Sequence, residues 1–401
     1  MKKITILGDI MVEPPFLKQA QKGDKYDFYP AMKALHSVLS DSDYVIANLE
    51  TPLAGEDMVY TNRIVSFNAP DSVAEAIKKL GIDVVSTANN HCLDRGFAGL
   101  ERTLRVLDEH GIAHTGTYPK GYTGERTHYF EVGDTKFALI AYAHSTNYGI
   151  STDLPQGETA VCVNNSRPLK GGAPTYRRKP DNYYTTLKYV QELTGRTLLW
   201  EETVKLTEAM GLSFVCIDEN VDYEEVEEYV RKIENDYKAA RERADIVIFY
   251  PHMGGQFNTK PGGYSKYFLG KCAELGFDAI YAAHSHTTQM AEYINGNPCF
   301  YSVGNVTMSP CTFYQVPESL PEYGLAVHNY IDGKKIDKVT FSIIKMVEDE
   351  NTPLRVVPTE ELYGELEGEA RDRLMRDVCE VYTRVTGREP DFSAPKKEYE
   401  L

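Results

Sequence analysis

Seven stretches along the chain are apolar on successive positions: KITILGD, YVIANLE, IDVVSTANN, TKFALIAYAH, ADIVIFYPH, FDAIYAAHSH and CFYSVGN. Continuous rather than alternating apolarity fits strands covered on both faces. Between them stand helix candidates such as APDSVAEAIKKLG, GFAGLERTLRVLDEHG and SKYFLGKCAELG, with acidic or small residues early and a glycine at the end, as helix caps prefer. Alternation of the two predicts an α/β layered architecture.

The alternation occurs twice, from Lys2 to about Ala143 and from about Tyr223 to Asn305. This division predicts a core of two halves, residues 1–146 and 220–345. The stretch between them, 147–219, is rich in Gly, Pro, Tyr and Asn, and is expected to be an insertion that could serve as a lid or specificity segment. DYEEVEEYVRKIENDYKAARERAD then predicts a long charged surface helix leading back into the core. Beyond about Ser342 the chain turns polar, and residues 346–401 are expected to hold a C-terminal helix and a charged tail.

Composition narrows the classes. The 401 residues, 42% hydrophobic, suffice for a large core, and the net charge of −16 argues against a nucleic-acid partner, which requires clustered Lys and Arg. No apolar run reaches 18 residues, and the N-terminal apolar stretch is too short for a signal peptide. The seven cysteines are scattered and form no CxxC pair. A cytoplasmic chain with free thiols and no membrane anchor is therefore expected. Walker, dinucleotide-binding and nucleophile-elbow motifs are absent from the sequence.

The polar residues are concentrated at the strand ends. Asp9, Asn48 or Glu50, Asn90 with His91, His252, and His284 with His286 each stand at or just past the C-terminal end of an apolar run. In α/β sheets the crevice beyond those ends binds ligands. Carboxylate, amide and imidazole together suit Mn, Fe or Zn. In an extended chain, residues two apart share a face, so His284 and His286 are expected to point into one cluster. His144 ends a further strand candidate, and Arg63 and Arg95 are candidates for receiving an anionic substrate. His36, His110, His114, His128 and His328 share no such placement and are taken as structural.

The succession resembles that of the calcineurin-like metallophosphoesterases, which have a four-layer αββα fold. It resembles more closely the capsule synthesis protein CapA family, associated with poly-γ-glutamate. The resemblance is carried by GDIM, NLETPL, STANNHCLDRG, PHMGGQF, AAHSHTTQ and YSVGN, within residues 2–146 and 220–310. It implies two divalent ions (Mn, Fe or Zn), with Asp9 and Glu50 as carboxylate ligands and Glu50 bridging. Asn90, His252 and His284 would hold the second ion, and His286 would complete the shell of the first. His91 would be the general acid and Asp94, three residues on, the carboxylate that orients it.

The implied activity is hydrolysis by a metal-bound hydroxide of a phosphoester, or of a γ-glutamyl amide, in an anionic small-molecule or polymer substrate. The alternative is a non-hydrolytic, metal- and polyanion-binding component of poly-γ-glutamate synthesis. A third reading, a degenerate remnant, draws on one departure. The phosphoesterase pattern has a histidine where this chain has Met11, leaving the first ion short of a ligand unless Glu13, His144 or water substitutes.

Overall fold

The computed structural model describes residues 1–62, 66–147, 177–178, 216–310, 312, 316–348 and 353–401, with backbone only at 177–178 and 216–217. Two large sheets dominate. Their strands along the chain are β1 (Lys2–Ile10), β2 (Tyr44–Leu49), β3 (Val84–Ser86), β4 (Ala113–Thr115), β5 (His128–Val132), β6 (Thr135–Ala143), β7 (Ile246–His252), β8 (Ala279–Tyr281), β9 (Ala291–Ile294), β10 (Asn297–Phe300), β11 (Asn305–Thr307), β12 (Tyr323–Asp332), β13 (Lys335–Val347), β14 (Arg355–Pro358) and β15 (Tyr399–Glu400). The nine-stranded sheet runs β14-β13-β12-β1-β2-β3-β4, with β11 beside β1 and β15 beside β13, and the six-stranded sheet runs β9-β10-β8-β7-β6-β5. β1 to β4 are parallel to one another, as are β6, β7, β8 and β10.

The doubly covered strands have a physical basis in three apolar clusters. Ile4, Ile6, Ile46 and Val84 of the first sheet meet Phe137, Leu139, Ile246 and Tyr250 of the second. On the other face of β2, Val45, Ala47 and Leu49 pack with Val73 and Ile77 of helix α1 (Ser72–Lys79) and Val106 and Leu107 of α2 (Gly96–Glu109). Val247 and Phe249 of β7 pack outward against Val226 and Ile233 of α3 (Tyr223–Arg241) and Phe268 and Leu269 of α4 (Gly263–Leu275). Each of the Val, Leu, Ile and Phe side chains among them contributes about 1.5–3 kcal/mol on burial. The chain is thus a mixed α/β protein in which the strands carry the core and leave their ends to chemistry.

The C-terminal region departs from the polar reading of the sequence. Antiparallel β12 and β13 form a long hairpin turning at Gly333 and Lys334, the former at φ 59°, and β14 and β15 both join β13. The C-terminal helix expected within residues 346–401 is two helices, Thr359–Glu365 and α5 (Gly368–Thr386), with extended backbone at Leu366 and Glu367 between them. Val378, Val381 and Val385 of α5 join the cluster that contains Phe341 and Ile343. Among the described residues, no helix is long and apolar enough to cross a membrane.

Candidate metal centre

Parallel strands of both sheets end at one place, and the polar residues follow from that. Asp9 lies near the end of β1, Glu50 directly follows β2, Asn90 and His91 follow β3, His144 follows β6, His252 ends β7, and His284 and His286 follow β8. Close backbone approach at Gly8 brings β11 alongside, because a Cβ there would lie 1.8 Å from the carbonyl oxygen of Gly304. The Asp9 amide instead donates to that oxygen at 3.1 Å. The glycines of the GD and VGN motifs are thereby explained together.

Two sets of ligand atoms form, Asp9 with Glu50 and His286, and Glu50 with His252 and His284, each within 4.8 Å of one another. Glu50 belongs to both. His252 Nε2 lies 2.8 Å from Asn90 Oδ1, 3.2 Å from Glu50 Oε1 and 3.0 Å from His284 Nδ1. One N–H cannot satisfy three such neighbours, whereas a cation satisfies all four atoms. Both oxygens of Glu50 are fully buried and have no hydrogen-bond partner among the described residues. A bare carboxylate in that position is costly, and the mixed oxygen and nitrogen set fits a divalent ion.

The electrostatics agree. Burial first, then the mutual charge of Asp9 and Glu50, pushes the Asp9 carboxyl up to about 8, and burial pushes Glu50 up to about 8. Burial also pushes the imidazoles down, His252 to about 4, His286 to about 3 and His284 well below its usual value. A histidine kept neutral is a histidine ready to ligate.

His284 and His286 reach the cluster by a different route from the one expected. β8 ends at Tyr281, and both histidines stand at positive φ, 101° and 57°, so they do not share the face of an extended strand. Turning backbone aims them instead, with ring centroids 6.0 Å apart and the His284 amide donating to Asp9 Oδ2 at 3.2 Å.

Asparagines brace the candidate ligands, among them Asn48, which the sequence offered as an alternative to Glu50, and Asn89 and Asn147, to which it gave no part in the cluster. Asn89 accepts from the His91 amide and donates to the Leu49 carbonyl and to Asn48 Oδ1, which fixes its amide orientation and that of Asn48. Asn48 therefore presents its NH2, not its oxygen, to Asp9 Oδ1 at 2.7 Å. It braces Asp9, and at that strand end the oxygens that belong to the candidate ligand sets are those of Glu50. Asn147 donates through its backbone to the Asn90 carbonyl at 2.7 Å, accepts from Asn90 Nδ2 at 3.3 Å, and has its own amide nitrogen 3.2 Å from His91 Nδ1.

His91 Nδ1 is 2.7 Å from Asp94 Oδ2, which also accepts from the Phe67 amide at 2.6 Å, and the Phe67 ring lies 4.3 Å from the imidazole. A turn over 90–95 ahead of α2 produces this pairing. Burial alone would lower the His91 pKa, but the charge and hydrogen bond of Asp94, with Glu50 and Asp9 behind, raise it.

The model of the bacterial capsule synthesis protein PGA_cap matches residues 3–309. The chain belongs to the PGA_cap family. It is 20% identical over 307 residues to the capsule biosynthesis protein CapA of Bacillus anthracis, covering 75% of this chain and 58% of that one. It is 21% identical over 305 residues to the PGA biosynthesis protein CapA of Bacillus subtilis (strain 168), covering 75% and 62%. An uncharacterized protein of Sinorhizobium fredii, y4sH, is 22% identical over 291 residues, covering 69% and 61%. The chain thus spans about six-tenths of the length of the curated relatives it matches. A hypothetical protein of Thermus thermophilus, known from a crystal structure, is a remote likeness, at 13% identity and a TM-score of 0.43 over 86% of this chain and 99% of that one.

In this PGA_cap chain Met11 does not face the ligand sets. Its side chain belongs to the apolar cluster beneath α1 and α2, and its backbone is tied to Thr307. Met11→His is therefore expected to bury an unpartnered imidazole, lowering stability by about 1–3 kcal/mol without adding a bound ion. Thermal melting and metal stoichiometry of the variant check both halves. Of the named substitutes, Glu13 accepts from the Ser309 amide at 2.7 Å, and His144 Nδ1 accepts from the Gly254 amide at 3.1 Å. That bond puts the proton of a neutral His144 on Nε2, as a donor beside His284, whose ring centroid is 4.8 Å away. Arg95 donates to the carbonyls of Met58, Val59 and Asp94 and to Ser66, and so braces the loop over His91. Arg63 and the 148–215 part of the insertion lie outside the described residues, apart from the backbone of residues 177–178.

Proposed function

We propose that this chain is a metal-dependent hydrolase of the calcineurin-like type, its sheets and helices forming the four-layer αββα arrangement, acting on an anionic substrate of capsule or poly-γ-glutamate metabolism. The observation that carries the reading is Glu50, buried, without a hydrogen-bond partner among the described residues and shared by two ligand sets, with the His91–Asp94 pair beside it. Asp9, Glu50 and His286 would hold one ion, and Glu50, Asn90, His252 and His284 the other. Divalent ions held there would supply Lewis acidity and lower the pKa of a bound water.

The chain's own groups do the rest. Asn48 holds the Asp9 carboxylate in place, and Asn147 holds the Asn90 amide. Asp94 keeps the proton on His91 Nδ1 and favours the charged ring, so His91 delivers a proton to the leaving group from Nε2. His144 offers an N–H rather than a lone pair beside His284. A phosphoester is the bond this arrangement suits, and a γ-glutamyl amide is the variant drawn from the family's association with poly-γ-glutamate.

Metal analysis of the purified chain, paired with turnover of a phosphomonoester and a phosphodiester in Mn, Zn and Fe, tests the reading. Two ions per chain with metal-dependent turnover support it. Tight metal binding with no turnover of either ester would favour the second reading, a polyanion-binding component, which the biosynthetic names of both Bacillus relatives favour.

A further inference from the structure

The last residue of YSVGN is Asn305, and its side chain is wholly buried. It stands at the start of β11, in register with Asp9. Gly324 makes room for it, since a Cβ there would lie 1.9 Å from the Asn305 carbonyl oxygen.

The orientation of the Asn305 amide follows from its neighbours. Nδ2 lies 2.9 Å from the His286 carbonyl and 3.0 Å from the Pro321 carbonyl. Carbonyls only accept, so the group facing them is the NH2 and the other atom is the oxygen. That oxygen, Oδ1, lies 3.0 Å from His286 Nδ1. An acceptor at that distance requires a proton on Nδ1, and a neutral imidazole carries only one. Nε2, 3.9 Å from Glu50 Oε1, is left with the lone pair. The same amide also braces the His286 carbonyl, at a residue whose φ of 57° is unfavourable for a side chain.

We propose that Asn305 is a positioning residue that places the proton of His286 on Nδ1 and so makes Nε2 the ligand atom of the Asp9–Glu50–His286 site. The inference deepens the metal-centre reading and rests on it. Nothing in the sequence pattern of YSVGN announces this role, because Asn305 neither ends an apolar run with a charge nor stands near the histidine in the chain.

The experiment is nitrogen-15 NMR of the imidazoles in the metal-stripped full chain, with His286 assigned by its loss in His286→Gln, together with equilibrium dialysis against Mn2+. Wild type is expected to show His286 protonated on Nδ1. Asn305→Ala should lose that preference, and if the alanine variant does not fold the wild-type tautomer alone still decides, because protonation on Nε2 contradicts the assigned role. In dialysis Asn305→Ala should weaken one Mn2+ site by about 10–100-fold and spare the other. A wild-type His286 protonated on Nε2, a tautomer indifferent to Asn305→Ala, or two unaltered Mn2+ sites in that variant would each overturn the proposal. Wild type that took up no Mn2+ would instead overturn the metal reading, and the tautomer would still decide what Asn305 does.

Discussion

Replacing Glu50 by glutamine is expected to abolish tight binding of both ions and, in metal-stripped protein at pH 8, to raise the melting temperature above that of wild type. Both effects have one origin. Glu50 contributes to two ligand sets at once, so neither survives its loss, and without cations its charge is buried with no hydrogen bond among the described residues. Burial is the largest cause of its pKa rising to about 8. A carboxyl raised from about 4.3 in the unfolded chain destabilises the folded ionised form by about 1.4 kcal/mol per unit, on the order of 3–5 kcal/mol near pH 7–8. Glutamine has no such charge to bury.

The pH dependence has a definite sign. Asp9 and Glu50 keep in the folded state protons that the unfolded chain has lost, so their contribution to stability falls as pH rises from about 4 to about 8. His252 and His286, depressed to about 4 and 3, act oppositely below their unfolded value of about 6.5. The two effects offset one another up to that pH. Above it only the raised groups remain, and His91, also raised, works in the same direction. Metal-stripped wild type should therefore lose on the order of 2–3 kcal/mol between pH 6.5 and 8. Glu50→Gln should lose roughly half that, and saturating Mn2+ should remove the decline, because ion binding drives the protons off. Melting at the two pH values measures it. A flat profile for the stripped wild type would sink the buried-carboxylate account.

These residues show what the sequence could and could not disclose. The parallel strands were legible because burial on both faces demands apolar residues at successive positions, as in Ile246 to Tyr250. The residues that gather into the candidate ligand sets were legible because each interrupts an apolar run at its carboxyl end. β12 and β13 alternate weakly and carry polar residues such as His328, Asn329 and Thr340 inside, so their pattern did not separate them from loops. The C-terminal strands are too short to have a pattern. The asparagines were hidden for another reason. Whether Asn48, Asn147 or Asn305 ligates, orients or merely turns depends on which end of its amide faces which neighbour, and a linear sequence contains no such information. The left-handed turns at His284 and His286 are of the same kind, imposed by contacts with Asp9, Asn305 and the segment at Phe257 that are remote in the chain.

Substituting His91 by glutamine should reduce turnover by about 10²–10⁴-fold for an ester with a poor leaving group, while leaving metal content intact. His91 belongs to neither ligand set, and the neighbouring Asn90 is held by the backbone amide of Asn147 and by His252 as well as by the Asn147 side chain that meets the imidazole. The loss should fall on kcat with little change in KM, since proton delivery is needed only as the bond breaks. Leaving-group dependence separates a proton donor from a residue that merely shapes the site. An alkyl ester departs as a strongly basic alkoxide and needs the proton, whereas a nitrophenyl ester departs as a stable anion and does not. His91→Gln should therefore cripple the alkyl substrate and cost the nitrophenyl one far less. Asp94→Asn should act in the same direction but more weakly, because it removes the main influence holding the His91 pKa up, shifting the loss of activity with rising pH to lower pH. Equal losses on both esters would mean that His91 does not donate a proton, and its pairing with Asp94 would then be structural.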